Sequence, residues 1–165
     1  MRAFIRFPKN VRVLSCLMTM ACTAVVTGAV MAHGNVTPQA VDTHTLPQLG
    51  RGWLKENPYG TGDVQQEAIR VGSSGFNQNC ARCHGLEAIS GGIAPDLRKL
   101  DAECFDMQGE AQDNCIKEFQ SYFINTVRGG RTREGRVYMP PFEGILSQEA
   151  LWAIKTYLES RRVAS

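Results

Sequence analysis

The sequence predicts an all-α fold in which helices alternate with long loops, and three observations predict it. Apolar residues recur every three or four positions in three separate stretches. No stretch alternates apolar and polar residues in the manner of a half-buried strand. Segments 85–100 and 128–146, which separate the helical stretches, carry repeated glycines and prolines. At 165 residues, 43% of them hydrophobic and 21% charged, the chain is long enough for one core and too short for two comfortable domains. An all-α chain with this much loop needs something besides its helices to fill that core.

Residues 1–32 read as an export signal. Arg2, Arg6, Lys9 and Arg12 make a basic start that contains no Asp or Glu, residues 13–31 are mostly apolar, and Val30-Met31-Ala32 suits a signal peptidase. Cleavage after Ala32 is expected. An uncleaved membrane anchor is the competing reading, weakened by Thr19, Thr23, Thr27 and Gly28 within the apolar run. Cys16 and Cys22 lack a convincing lipobox and are expected to leave with the peptide. The chain from His33 onward then sits in the periplasm, an oxidising compartment where structural thiols pair. Four of the eighteen basic residues go with the signal, so fourteen face sixteen acidic ones. That balance of −2 disfavours a nucleic-acid binder that relies on bulk charge.

Residues 33–62 form an irregular arm in which Pro38, Pro47, Pro58 and several glycines interrupt any period. Trp53, Leu54 and Tyr59 are too apolar for a free tail, so the second half is expected to lie against the globular part, residues 63–165. The first helix there is expected from about Val64 to Ala81. Asp63 and Gln66 open it as a capping box, and Ala68, Gly72, Phe76 and Cys80 recur every four residues. A glycine on an apolar stripe costs helix stability, and Gly72 there points to close approach of another helix. The second helix is expected over about 114–127, with Ile116, Phe119, Phe123 and Val127 on one face. The third starts at Ser147 as N-cap and buries Leu151, Ile154 and Leu158 as a stripe.

The first helix runs into Cys80-Ala81-Arg82-Cys83-His84, the C-x-x-C-H attachment pattern of c-type haem. Near a helix end the two thiols and the imidazole project toward one side. There the thiols can take up a porphyrin's two vinyl groups as thioethers while the imidazole binds the iron. A zinc site would need a second C-x-x-C, which Cys104 and Cys115 do not make. A thioredoxin-like dithiol would need a βαβ setting that the sequence lacks.

From about Asp63 to Arg162 the sequence resembles the class I, single-haem cytochromes c, with CARCHG closing the first helix and Ser147 opening the last. The resemblance implies one covalent haem c with its iron, and a crossing of those two helices near Gly72, Phe76 and Tyr157. It implies that Ile93-Ala94-Pro95-Asp96-Leu97 borders the haem, with the Pro95 carbonyl accepting the His84 Nδ1–H. It also makes Met139, in Tyr138-Met139-Pro140-Pro141-Phe142, the sixth iron ligand. The bland alternative is a loop methionine packing a core gap. Met107 lies in an acidic loop, and His33 and His44 in the arm are remote alternatives. With His84 and Met139 both bound, the iron has no open position, which favours electron transfer over oxygen or peroxide chemistry and argues against an enzyme. In the exported compartment Cys104 and Cys115 are expected to form a disulfide.

The stretch Trp53-Leu54-Lys55-Glu56-Asn57-Pro58-Tyr59, followed by FNQNCARCHGLEAISGGIAPDLR, resembles the periplasmic cytochromes c of bacterial quinoprotein alcohol oxidation. That resemblance implies a PQQ-dependent alcohol dehydrogenase as electron donor and an oxidase or another cytochrome as acceptor. Arg128, Arg131, Arg133 and Arg136, crowded before Met139, are candidates to steer an acidic partner, to hold the haem propionates, or to be a merely solvated loop. Two rival readings stay open. One is a haem enzyme or sensor with an open sixth position, and the other is a membrane-held subunit of an oxidase or dehydrogenase complex.

Overall fold

The structure is a computed structural model and describes residues 37–163. The expected signal peptide, its cleavage point and the first residues of the arm lie outside the described residues.

The first helix, α1 (Gln65–Asn79), begins without the expected Asp63 capping box. Val64 holds the N-cap position and its side chain caps nothing. The first turn is instead tied to the preceding glycine turn, where the Gln65 N–H donates to the Gly62 carbonyl at 3.1 Å and the Gln65 side-chain amide to the Gly60 carbonyl. The helix also stops earlier than Ala81. Cys80 closes it at φ −116°, and a separate turn, α2 (Ala81–His84), follows. Short 3-10 turns at Leu86–Ala88, Leu97–Lys99 and Ala102–Asp106 break up the next loop.

The next helix, α3 (Glu110–Gly129), is longer than its apolar stripe predicted. Glu110 and Asp113 suit its N-terminal dipole. A Cys104–Cys115 disulfide, with an S–S distance of 2.02 Å, ties its start to the preceding 3-10 turn. Phe123, Ile124 and Val127 are buried, whereas Ile116 and Phe119 are only half-buried. The last helix, α4 (Gln148–Ser160), begins where expected, with Ser147 Oγ accepting the Ala150 N–H at 3.2 Å.

The loop 128–146 is not free of strand. Residues Arg131–Arg133 (β1) and Arg136–Met139 (β2) pair as an antiparallel hairpin, with Arg133 opposite Arg136. Glu134 at φ 51° and Gly135 at φ 74° make the tight turn. The ribbon left no alternating signature because both of its faces are solvated. The architecture remains predominantly helical.

The centre of the fold is the crossing of α1 over α4. A Cβ on Gly72 would stand 1.9 Å from the Ala153 carbonyl oxygen, so only glycine lets the two backbones meet. One turn on, the Phe76 and Tyr157 rings pack with centroids 5.5 Å apart. The second half of the arm lies on the other side of α4. The Leu54 N–H donates to Gln148 Oε1 at 2.6 Å, the Leu49 N–H to Glu149 Oε1 at 2.8 Å, and Asn57 Nδ2 to Thr156 Oγ1 at 3.0 Å. This cover is why α4 is buried all round from Gln148 to Leu158 and not along a stripe alone. Among the described residues no helix is long and apolar enough to cross a membrane.

One packing element has no sequence signature. Lys155 and Asp101 are almost wholly buried, with Lys155 Nζ 3.2 Å from Asp101 Oδ2 and 2.9 Å from Glu159 Oε1. Arg162 completes the network by donating through Nε and Nη2 to both Asp101 oxygens, at 2.9 and 2.8 Å. Burial by itself would raise the Asp101 pKa, but Arg162 and Lys155 together hold it below the ordinary carboxylate value. These charges pin segment 97–106 to the last helix.

Candidate functional site

Where α1 gives way to α2, one helical turn fixes three side chains. The Cys80 carbonyl accepts the Cys83 and His84 N–H groups at 3.1 and 3.0 Å. Gly85 then leaves the turn at φ 79°, where a Cβ would collide with the Ile89 carbonyl oxygen at 1.8 Å. The chain returns through Pro95, whose carbonyl oxygen lies 3.0 Å from His84 Nδ1. A carbonyl only accepts, so Nδ1 carries the proton and Nε2 is left as the ring's lone-pair donor.

These residues open onto a cavity of about 330 Å³ with a nearly continuous apolar lining. Its size and lining are those of a small-molecule or cofactor site. Cys80, Cys83, His84 and Pro95 line it from one segment and Met139 from a segment more than forty residues later, so all five residues singled out in the sequence share one cavity. Met139 is held there from the far end of β2. Gly130, at φ 67°, lets the Met139–Pro141 backbone press against the end of α3, since a Cβ would meet the Met139 carbonyl oxygen at 2.5 Å. The Phe142 N–H then donates to the Val127 carbonyl at 3.0 Å. Met107, 40% exposed, and His44, paired on the surface with Asp42 at 2.7 Å, are not part of the lining.

Neither Cys80 nor Cys83 is in a disulfide. Burial pushes the Cys80 thiol up to about 12, the opposite of the depressed value that marks a reactive or redox-active thiolate. The donor set is therefore two thiols, one imidazole nitrogen and one thioether around an apolar cavity. It suits a flat, largely apolar metallocofactor attached through carbon–sulfur bonds and ligated by nitrogen and sulfur.

Residues 67–158, more than half of the chain, match the family described as Cytochrome C oxidase, cbb3-type, subunit III. A cytochrome c550 of Pseudomonas aeruginosa is 50% identical over 134 residues, covering 81% of this chain and 83% of that protein. The chain belongs to the class I, single-haem cytochromes c. Membership brings covalently bound haem c with its iron, and makes the cytochrome an electron carrier, not an enzyme. A Pseudomonas putida protein named quinohemoprotein alcohol dehydrogenase ADH-IIG is 33% identical over 94 residues, which cover 57% of the cytochrome but 11% of that protein. The Rhizobium meliloti Cbb3-type cytochrome c oxidase subunit FixP is 32% identical over 125 residues, 74% of the cytochrome and 39% of FixP. No solved structure matches the chain.

Of the four arginines singled out in the sequence, Arg131 lines the cavity, beside residues that the sequence did not point to. Arg131 reaches the cavity wall from β1, where Nη2 donates to Thr126 Oγ1 at 2.6 Å and the guanidinium lies 5.1 Å from the Tyr122 ring centre. Tyr122 and Thr126 are four apart on α3 and face Arg131 together, a spacing that could have flagged them. Asn79, just before the motif, is buried and accepts the Gln39 N–H of the arm at 2.6 Å. The four arginines near Met139 do not form one group. Arg128 pairs with Glu143 at 2.7 Å and stacks 4.2 Å from the Trp53 ring centre, so it fastens the arm. Arg133 and Arg136 stand on the ribbon.

Proposed function

We propose that this cytochrome is a periplasmic one-electron carrier that takes electrons from a PQQ-dependent alcohol dehydrogenase and hands them to the respiratory chain. Cys80 and Cys83 would hold the haem as thioethers, and His84 and Met139 would ligate its iron. The observation that carries this reading is the single apolar cavity in which two thiols, an imidazole with its Nδ1–H on the Pro95 carbonyl, and a thioether converge. Haem c, when bound there, supplies a one-electron iron(III)/iron(II) couple.

The rest is the work of the chain. Pro95 fixes the tautomer and tilt of His84 and so leaves Nε2 as the atom that would meet the iron. Pro140 and Pro141 restrict the backbone that presents Met139, and a sulfur ligand raises the reduction potential relative to a nitrogen one. Phe76, Phe123 and Leu158, themselves buried, give the cavity its apolar wall. With His84 and Met139 both given to the iron, the site would exchange electrons without binding oxygen or peroxide.

Export rests on the basic and apolar character of residues 1–32, read as a cleaved signal peptide ahead of an arm, residues 33–62, and the haem domain, 63–165. The donor rests on the 33% identity to a protein named quinohemoprotein alcohol dehydrogenase. Stopped-flow mixing of the oxidised cytochrome with substrate-reduced quinoprotein alcohol dehydrogenase tests it. Fast, saturable reduction of the haem is expected, and no reduction by an otherwise active dehydrogenase would overturn the donor. The FixP similarity favours a second reading, a subunit held to an oxidase complex by residues 13–32. The mass of the protein recovered from periplasm separates the two, because a chain that still begins at Met1 defeats the cleaved form.

A further inference from the structure

We propose that the β1–β2 ribbon is the surface on which this cytochrome receives an acidic protein redox partner, an inference that rests on the carrier reading above. Every residue from Arg131 to Tyr138 is exposed, and an isolated two-stranded ribbon is marginal in water unless its root is fixed. Here the root is fixed at Gly130 and at Met139–Phe142. The ribbon contributes nothing to the core, yet it carries Val137, 65% exposed and no part of the cavity lining. Folding gives no reason for this apolar side chain to stand in solvent.

Charge on the ribbon is equally unspent. Arg70, Arg98, Arg128, Arg161 and Arg162 each hold a carboxylate within 2.5–2.8 Å. Arg133 reaches only its neighbour Glu134, at 3.7 Å, and Arg136 has no carboxylate partner among the described residues. Guanidinium forks recognise carboxylates in two-point geometry, and arginine with tyrosine is the composition of binding hot spots. Arg131 and Tyr138 also line the mouth of the cavity, and β2 ends on Met139 itself. A carboxylate-rich surface seated on the ribbon therefore sits against the redox site.

The test compares the haem-loaded wild type with R133E/R136E, which reverses two exposed charges away from the core. Three rates are followed against salt: reduction by the quinoprotein alcohol dehydrogenase, oxidation of the reduced protein by ferricyanide, an anion, and oxidation by tris(phenanthroline)cobalt(III), a cation. Each reagent moves one electron per haem. At low salt the reversal should cut the dehydrogenase rate about tenfold and flatten its salt dependence. It should also slow ferricyanide and accelerate the cobalt complex. Unchanged rates with the two inorganic oxidants would overturn the proposal, as would a dehydrogenase rate that ignores the reversal. If the oxidants respond but the wild type is never reduced by the dehydrogenase, the ribbon stands as the acidic-partner face and the donor assignment falls.

Discussion

Gly72 of α1 and Ala153 of α4 meet backbone to backbone, so closely that a Cβ on the glycine would fall 1.9 Å from the Ala153 carbonyl oxygen. No rotamer change relieves that clash, because the obstruction is main chain. Gly72→Ala should therefore destabilise by more than about 3 kcal/mol, the upper end of ordinary overpacking, and loosen the wall that Phe76 gives the cavity. Gly75→Ala is the matched control. Its new Cβ would meet only side-chain atoms of Val41 and Ile154, at 3.1–3.3 Å, which can shift. Denaturant unfolding of the two variants should separate them clearly, and equal losses would contradict the crossing.

Asp101 should behave as a buried anchor whose value depends on pH. Burial opposes its charge, while Arg162 and Lys155 stabilise it and set its folded pKa below 3.8. A lowered carboxylate pKa adds stability that is fully present above the unfolded value, about 3.9. It is lost as pH falls through the folded pKa. Asp101→Asn leaves Lys155 and Arg162 without their shared partner and should cost about 3–5 kcal/mol at pH 7. The difference from wild type should begin to shrink below pH about 4, where the carboxylate of the unfolded wild-type chain takes up a proton, and close as pH passes below the lowered folded value. A thermal-unfolding series from pH 7 to 2 measures both.

Features fixed by short-range spacing were legible in the sequence. The C-x-x-C-H turn, the Ser147 cap and the role of Gly72 each depend on residues within a few positions or on the absence of a side chain. Features that need a distant partner were hidden. Lys155 and Asp101 lie 54 residues apart, and Arg162 and Asp101 61 apart, so nothing local marks them as one buried network. Gln148, Glu149 and Thr156 read as the wet side of an amphipathic helix, yet the arm covers them with hydrogen bonds from Leu54, Leu49 and Asn57. The ribbon was illegible for the opposite reason, since a strand exposed on both faces has no apolar alternation to read. Arg128 looked like its neighbours in the loop and proved to be a fastening for Trp53.

The Cys104–Cys115 disulfide closes a short loop that Leu97 and Leu100 link to the cavity wall. Replacing both cysteines with serine should cost about 2–4 kcal/mol, mainly by freeing the unfolded chain. The visible spectrum of the haem should not change, because neither sulfur lines the cavity. A spectral shift in the double variant, at a temperature where it is fully folded, would show that the bridge positions the site and does more than restrain the chain.

Met139 decides between a carrier and a chemically open haem protein. Gly130 and the Pro140-Pro141 pair hold its backbone against α3, so removing the side chain should leave the loop in place and delete only the thioether. In Met139→Ala the reduced protein should bind carbon monoxide readily, whereas the wild type should bind it poorly. The midpoint potential should also fall on loss of the sulfur ligand. Met107→Ala, in the exposed acidic loop, should change neither property. Ready carbon monoxide binding by the untreated wild type would mean that the sulfur does not hold the sixth position, and would move the reading toward a sensor or a haem enzyme.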